Sequence, residues 1–432
     1  MRSYQRSLEL YRRAIELIPG GSQTNSKRPT AYALGAFPIY AQDAAGARVQ
    51  DVDGNWYIDY ILGLGPITLG YCYPAVDEAI RAQLERGIIY GLLSPLEIEV
   101  AEAVIEMVPC AEMVRFLKGG AEVTTAAARI ARGYTGREVI LNSGYRGWAD
   151  GWMAQSAGLD KGVPDCLGGI IDGWTRYDLD SLRAKLEQYA GRVAMVSLDP
   201  ASGGDRVPDG YHQGVRELCD EFGALLMYDE IVTGFRMARG GGQEYFGVTP
   251  DLACFAKGIA NGMPLGVVCG KAEIMRKAVD DLIISVTYGG EALSLAAAAA
   301  AMRVYRSEPV FETIWATGAR LMRGFDELAE KHGVPLKCHG YEPMSSQTIR
   351  YEDPRLSQDV WTLLLQEMAA RGVLLRRGGL LFVTYSHRDE EVEETLAALD
   401  ESLAVIAEAV DSGTVTERLR VTQVQESFRS FT

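Results

Sequence analysis

Residues 224–266 read ALLMYDEIVTGFRMARGGGQEYFGVTPDLACFAKGIANGMPLG. The stretch holds two apolar runs, each ended by a charge: 224–228 stops at Asp229, and 252–256 stops at Lys257. Short apolar runs bounded by turn residues fit strands buried on both faces of a parallel sheet, and open α/β folds bind ligands at the carboxyl ends of such strands. Only nine of the 43 basic residues are lysine. A lysine between an apolar run and Gly258 therefore reads as a desolvated amine, and burial lowers an amine's pKa and makes it nucleophilic, the condition for Schiff-base chemistry.

Outward from this stretch, the same rhythm continues. Strands are expected at 113–117, 139–142, 169–171, 193–198, 224–228, 252–255 and 266–269, with helices at 75–85, 95–107, 121–133, 180–190, 210–222, 271–278 and 292–305. This alternation predicts an α/β fold built on a doubly wound, mostly parallel sheet. Upstream, 3–18 has helical spacing and is stopped by Pro19-Gly20-Gly21, and 40–60 alternates around a hairpin signal at Asp53-Gly54. Beyond 310 the pattern predicts a long helix to about 332, strands near 346–350 and 373–384, and helices at 357–370 and 389–410, a smaller α+β domain. The expected division is 1–60 as an N-terminal helix and small-domain segment, 61–309 as the large domain, and 310–432 as the rest of the small domain, its last twenty residues a mobile tail or arm.

Composition narrows the function. At 432 residues, 47% hydrophobic and 23% charged, the chain is of ordinary globular type with room for two domains. It has no apolar run of about 18 residues and begins with an amphipathic pattern rather than a signal peptide, so a cytoplasmic protein with no membrane partner is expected. Seven scattered cysteines without a CxxC pair, and four histidines without a ligand partner at short spacing, predict reduced thiols and no metal site. The net charge of −15 argues against nucleic acid and suits a cationic substrate, though acidity also serves solubility alone.

Four junctions at strand ends carry candidate chemistry. Gly119-Gly120-Ala121 separates the run 113–117 from an alanine-rich helix; it is either an anion site at a helix N-terminus or a simple turn. Tyr145, in NSGYRGWAD, either lies over a flat ligand or caps the core. Asp229 can hold a heteroaromatic nitrogen protonated, and Lys257 can bond an aldehyde. Taken in order, a phosphate cradle, a stacking ring, a carboxylate and a buried lysine are what a pyridoxal phosphate site requires.

With these residues in view, the chain from about 8 to 405 resembles the class III (fold type I) pyridoxal-phosphate-dependent aminotransferases, in the branch of glutamate-1-semialdehyde aminomutase. The stretches that carry the resemblance are IPGG (18–21), DVDGNWYIDYILGLGPITLGY (51–71), FLKGGAEVTTAAARIARGYTGR (116–137), GYRGWAD (144–150), YDEIVTGFR (228–236), FAKGIANGMPLG (255–266) and TYGGEALSLAAAA (287–299). The resemblance implies that Lys257 bonds the cofactor's aldehyde, that Asp229 pairs with the ring nitrogen, and that Ile231 and Tyr145 pack on the two ring faces. It also implies phosphate donors at Gly119, Gly120 and Ala121, and Thr287 reaching the phosphate from the other subunit of a homodimer.

Departures from the family pattern concern the substrate. Tyr145-Arg146 replaces an aromatic-histidine pair, Asp199-Pro200 replaces Glu-Pro, Lys27 stands where the aminomutase has an arginine, and 374–387 lacks its gating glutamate. Lys27, Arg146, Glu291 and Arg376 are the expected substrate contacts. The TYGGE, GYxGW and PGGSQT stretches look more like branch members that aminate sugars, including those of aminoglycoside antibiotic pathways. The expected reaction moves an amino group from a donor such as glutamate to an aldehyde or keto carbon of a sugar acceptor, with a polycationic amino sugar among the candidates. The alternative is an isomerase, either an aminomutase or an amino-sugar epimerase, using the same lysine.

Overall fold

In the computed structural model, which describes residues 2–154, 159–202 and 204–421, contacts divide the chain into two units. One comprises Met1–Tyr73, Gly203–Arg206 and Glu312–Thr432, the other Pro74–Ser202 and Val207–Phe311. In the first unit, β1 (Ala41–Ala45), β2 (Arg48–Asp51) and β3 (Trp56–Asp59) form an antiparallel meander, with Gly54 at φ 90° in the expected hairpin turn.

The second unit carries the seven-stranded sheet. Its strands are β4 (Met113–Leu117), β5 (Val139–Ser143), β6 (Ile171–Gly173), β7 (Val193–Leu198), β8 (Leu225–Asp229), β9 (Leu252–Phe255) and β10 (Gly266–Gly270), in the order β4-β10-β9-β8-β7-β5-β6. β10 runs antiparallel to both neighbours, while the pairs from β9 through to β6 are parallel. Every residue of β5, β7, β8, β9 and β10 is buried, which is why these strands read as continuous apolar runs rather than as alternation. Helix Ala292–Ser307 buries its run Ala296–Ala301 completely and packs on helices Pro74–Leu84 and Pro95–Met107. Alanine there lets helix backbones approach closely.

The first unit is completed by β11 (Leu336–His339), β12 (Met344–Ile349), β13 (Val373–Leu374) and β14 (Leu380–Phe382). β11, β12 and β14 form an antiparallel sheet, whereas β13 pairs in parallel with β3. The strand pattern at 373–384 is therefore two strands in two sheets, with Arg376 in the connection. The unit boundary falls at Tyr73/Pro74 rather than at 60/61. Residues 61–73 stay with the meander because Tyr71 donates to Asp59 Oδ2 (2.7 Å) and to the Gly46 carbonyl through its N–H (2.7 Å), and Thr68 accepts from the Tyr385 N–H (2.8 Å). Of the expected tail, Val415–Arg418 is helical and the Arg420 N–H donates to Gln366 Oε1 (2.8 Å), so this part is packed rather than mobile; 422–432 lies outside the described residues. Among the described residues no helix is long and apolar enough to cross a membrane, and all seven cysteines are unbridged.

Candidate functional site

β8 and β9 run side by side with Asp229 opposite Cys254. Asp229 ends its strand, and Lys257 follows three residues past Cys254, so both emerge at one carboxyl edge. Lys257 has φ 50°, a left-handed conformation that costs a non-glycine residue about 1–3 kcal/mol and is found where function requires it. The next residue is pinned from the alanine-rich helix, because Tyr305 Oη donates to the Gly258 carbonyl (2.7 Å).

Asp229 is 5% exposed. Its Oδ1 accepts the Ile231 N–H (3.0 Å) and its Oδ2 lies 3.4 Å from Arg146 Nη1. Burial pushes the Asp229 carboxyl up to about 6; Arg146 pulls against this, Asp199 adds to the rise, and the Ile231 N–H and Lys257 oppose it. The carboxyl is thus anionic at neutral pH.

The phosphate cradle expected at 119–121 is the first turn of helix Gly120–Thr135, whose N-cap is Gly119. Glu122 Oε2 takes the N–H groups of Lys118 (2.8 Å) and Gly119 (2.9 Å), and the N–H groups of Glu122 and Val123 donate to the Gly119 carbonyl. Those of Gly120 and Ala121 have no partner among the described residues. Two unspent donors at the positive end of a 16-residue helix suit an anion. A Cβ on Gly120 would lie 2.8 Å from Ile231 Cδ1, so glycine is what lets Ile231 lie against the cradle. The Thr124 hydroxyl donates to the Arg146 carbonyl (2.6 Å), joining this helix to the loop that carries Tyr145, which is 40% exposed.

Gly120, Ala121, Ile231, Asp229 and Lys257 are thereby placed in one unit, with Tyr145 on the adjoining loop, whereas the phosphate donor expected at Gly119 is corrected, because its N–H is taken by Glu122 Oε2. Two of the four expected substrate contacts are corrected. The Arg146 side chain is fully buried, and its guanidinium donates to Ser197 Oγ (2.8 Å), the Ser143 carbonyl (2.6 Å), the Tyr145 carbonyl (2.8 Å) and Asp199 Oδ1 (2.9 Å) as well as facing Asp229. It turns inward and offers a substrate nothing. Glu291 is 8% exposed and caps helix Ala292–Ser307: its carboxylate accepts from the Leu293 N–H (2.6 Å), the Ser294 hydroxyl (2.6 Å) and Lys118 Nζ (2.9 Å). Burial raises this carboxyl, and the bonds from Ser294 and Lys118 outweigh it, leaving the group below the usual carboxylate range.

Thr287 is exposed on the loop before that helix. Lys27 and Arg376 belong to the other unit. Lys27, exposed at the end of the turn Asn25–Lys27, lines a cavity of about 190 Å³ with Tyr32, Asp51 and Asp59, while Arg376 lies beside the buried Tyr32 hydroxyl. Sequence reasoning gave no role to Asp199, Ser197 and Arg176, the groups behind Arg146; the acidic residue after strand 193–198 was the only signal.

An anion cradle, a buried carboxylate and a lysine on adjoining edges of a largely parallel sheet define a fold type I pyridoxal-phosphate enzyme. Residues 31–403 match the model of the family "Aminotransferase class-III", and the chain belongs to that family. It is 35% identical to a glutamate-1-semialdehyde 2,1-aminomutase of Syntrophobacter fumaroxidans over 93% of this chain and 98% of the relative. It is 33% identical to a 3-aminobutyryl-CoA aminotransferase of Cloacimonas acidaminovorans over 93% of this chain and 97% of the relative. Among solved structures it is similar to the PLP-bound FumI protein of Sphingopyxis sp. MTA144, with TM-score 0.88, 29% identity, and coverage of 94% and 98% of the two chains. The protein is a class III aminotransferase-family enzyme with pyridoxal phosphate as cofactor, and the unspent Gly120 and Ala121 donors and the anionic Asp229 fit that group.

Proposed function

We propose that this enzyme transfers an amino group between a donor such as glutamate and an aldehyde or keto carbon of a sugar or aminoglycoside-type acceptor. The observation that carries the transfer chemistry is the placement of Asp229 and Lys257 on the ends of neighbouring parallel strands. Bound there, the cofactor supplies the electron sink for a carbanion at the amine-bearing carbon. Gly120 and Ala121 would bind its phosphate, Ile231 and Tyr145 would flank its ring, and Asp229 as the anion would accept the ring N–H and keep the proton on nitrogen. Lys257 Nζ would bond the cofactor's aldehyde in the resting enzyme and, once displaced from that carbon by the substrate's amine, would be free to carry the proton between the substrate's amine-bearing carbon and C4′ of the cofactor.

The acceptor assignment draws on the TYGGE and GYxGW stretches and on the net charge of −15, which favours a cationic ligand at low salt. With Arg146 and Glu291 engaged internally, neither is proposed as a substrate contact. The enzyme acts in the cytoplasm as a homodimer. In support of the dimer, Leu92 and Leu93 (each 86% exposed) and Ile98 (64%) stand out on the second unit, around a groove that also holds Thr287. A second copy would cover this apolar patch and bring its Thr287 to the phosphate.

The test is a half-reaction screen. The pyridoxal form is mixed with glutamate, alanine and amino sugars, and the pyridoxamine form with sugar aldehydes, while the cofactor spectrum is followed. Conversion by an amino donor and reversal by a sugar aldehyde supports the proposal; reversal only by glutamate 1-semialdehyde overturns the acceptor assignment. The second reading, an aminomutase, is favoured by the names of the relatives at 35–36% identity. It predicts that a single amino aldehyde is isomerised without an added keto acid.

A further inference from the structure

Resting on that reading of Asp229, we propose that Arg146 is a positioning residue: a permanent buried cation that holds Asp229 ionised and aimed at the cofactor's ring nitrogen. It acts as the inner member of a charge chain running Arg176–Asp199–Arg146–Asp229. The chain is continuous in the structure. Arg176 Nη2 donates to Asp199 Oδ2 (3.2 Å), Asp199 Oδ1 accepts from Arg146 Nη1 (2.9 Å), and the same Nη1 lies 3.4 Å from Asp229 Oδ2. Exposure falls along it, from 30% at the Arg176 side chain and 25% at Asp199 to none at Arg146 and 5% at Asp229.

Geometry leaves the guanidinium little freedom. Ser197 Oγ and the carbonyls of Ser143 and Tyr145 fix its other N–H groups. Gly144 makes the space: at φ 104°, a Cβ there would meet Asp199 Oδ2 at 2.3 Å and Arg146 Nη1 at 3.3 Å. An arginine cannot lose its proton in a protein, so its hold on Asp229 does not change with pH. A neutral hydrogen-bonding side chain in its place would leave a desolvated carboxylate with weaker compensation.

The remaining groups around Asp229 decide the signs. Burial and Asp199 favour the neutral carboxyl, whereas Arg146, the Ile231 N–H and Lys257 favour the anion. Cys254, on the neighbouring strand, is held as a neutral thiol by burial and by Asp229 itself. The adjacent Glu230 is turned to the N–H groups of Gly242 (2.8 Å) and Gln243 (2.9 Å). Removing Arg146 raises the proton affinity of Asp229, and removing the Asp199 charge lowers it. A protonated Asp229 offers no charge to the pyridinium, so the enzyme's preference for nitrogen over carbon in the ring reports the state of Asp229.

The experiment measures dissociation constants of pyridoxal 5′-phosphate and of its 1-deaza analogue, in which a carbon replaces the ring nitrogen, between pH 5 and 8.5 with cofactor-depleted full-length protein. The wild type is expected to prefer the nitrogen compound by a ratio that is flat above about pH 7 and falls in acid. In Arg146→Met the ratio falls about tenfold or more at pH 7, because each rise of one in the carboxyl's pKa is a tenfold gain in its proton affinity, and it recovers only at higher pH. Arg146→Lys retains most of the ratio, and in Asp199→Asn the acid fall moves to lower pH. A role confined to packing weakens both compounds equally and leaves the pH midpoint in place; that result for Arg146→Met overturns the inference. Should Arg146→Met not fold, an Asp199→Asn midpoint that stays put or moves upward overturns it instead. A wild type that binds both compounds equally removes Asp229 from the ring nitrogen and overturns the underlying reading.

Discussion

Replacing Glu291 separates a substrate contact from a structural one. In this structure the carboxylate caps a 16-residue helix and pairs with Lys118, the two side chains being 10% and 19% exposed. Glu291→Ala removes an N-cap, worth about 1 kcal/mol, and leaves a largely buried ammonium short of an acceptor, worth about 1–3 kcal/mol more. The expected destabilisation is therefore about 2–4 kcal/mol. Glu291→Gln keeps an oxygen for the Leu293 N–H but loses the ion pair and the charge at the helix N-terminus, for about 1–2 kcal/mol. Because the folded carboxyl sits below its ordinary range, its stabilisation is present at neutral pH and lost as pH falls through that lowered value; Glu291→Gln should show less of this acid loss. The assay is thermal unfolding of the two variants and the wild type at one scan rate between pH 4 and 7, alongside steady-state kinetics for whichever acceptor the half-reaction screen identifies. Both variants should melt lower, with the acceptor KM of Glu291→Gln within about twofold of wild type. An unchanged melt with a KM raised about tenfold, a loss of about 1.4 kcal/mol of binding, would refute the capping assignment and return Glu291 to the substrate.

Three further outcomes are expected. Gly120→Ala places a methyl group 2.8 Å from Ile231 Cδ1, an overpacking worth about 1–3 kcal/mol; equilibrium titration should show cofactor affinity falling about tenfold, and unchanged affinity would mean that Ile231 moves freely. His212 donates from Nε2 to the Pro200 carbonyl (2.8 Å) and accepts the Tyr228 hydroxyl at Nδ1 (2.9 Å), and burial drives its pKa from 6.5 down to about 4 against that carbonyl's pull. Below pH 6.5 the unfolded chain takes a proton that the folded chain refuses, so stability should fall by about 3 kcal/mol between pH 6.5 and 4, a loss that His212→Gln removes in acid denaturation curves. Leu92→Asp combined with Leu93→Asp should halve the mass measured by light scattering after size exclusion and weaken cofactor binding; an unchanged mass would place the subunit interface elsewhere.

The place of the candidate cofactor residues at strand ends was legible because strands buried on both faces are continuous apolar runs, and a charge ending such a run has few reasons to be there. Asp229 and Lys257 both show this. The reversed direction of β10 was not legible, since all of Gly266–Gly270 is buried and a fully apolar strand carries no mark of its polarity. Nor was the turn of a side chain at a strand end. Arg146 was expected as a substrate contact, but Gly144 makes room for it to fold back onto Asp199, a contact set by residues more than 50 positions away. Glu291 had a local signal, standing directly before an alanine-rich helix with a serine three residues on. It was easy to miss because Ser, Thr, Asp and Asn are the usual caps. The strand Leu336–His339 was overlooked for its length of four residues between a helix and a turn.

The central claim is that Lys257 is the residue joined to the cofactor. Holoenzyme reduced with borohydride and digested should carry the pyridoxyl label on the peptide containing Lys257, and Lys257→Ala should retain the cofactor only non-covalently. A label on any of the other eight lysines, or undiminished labelling of Lys257→Ala, would contradict the account.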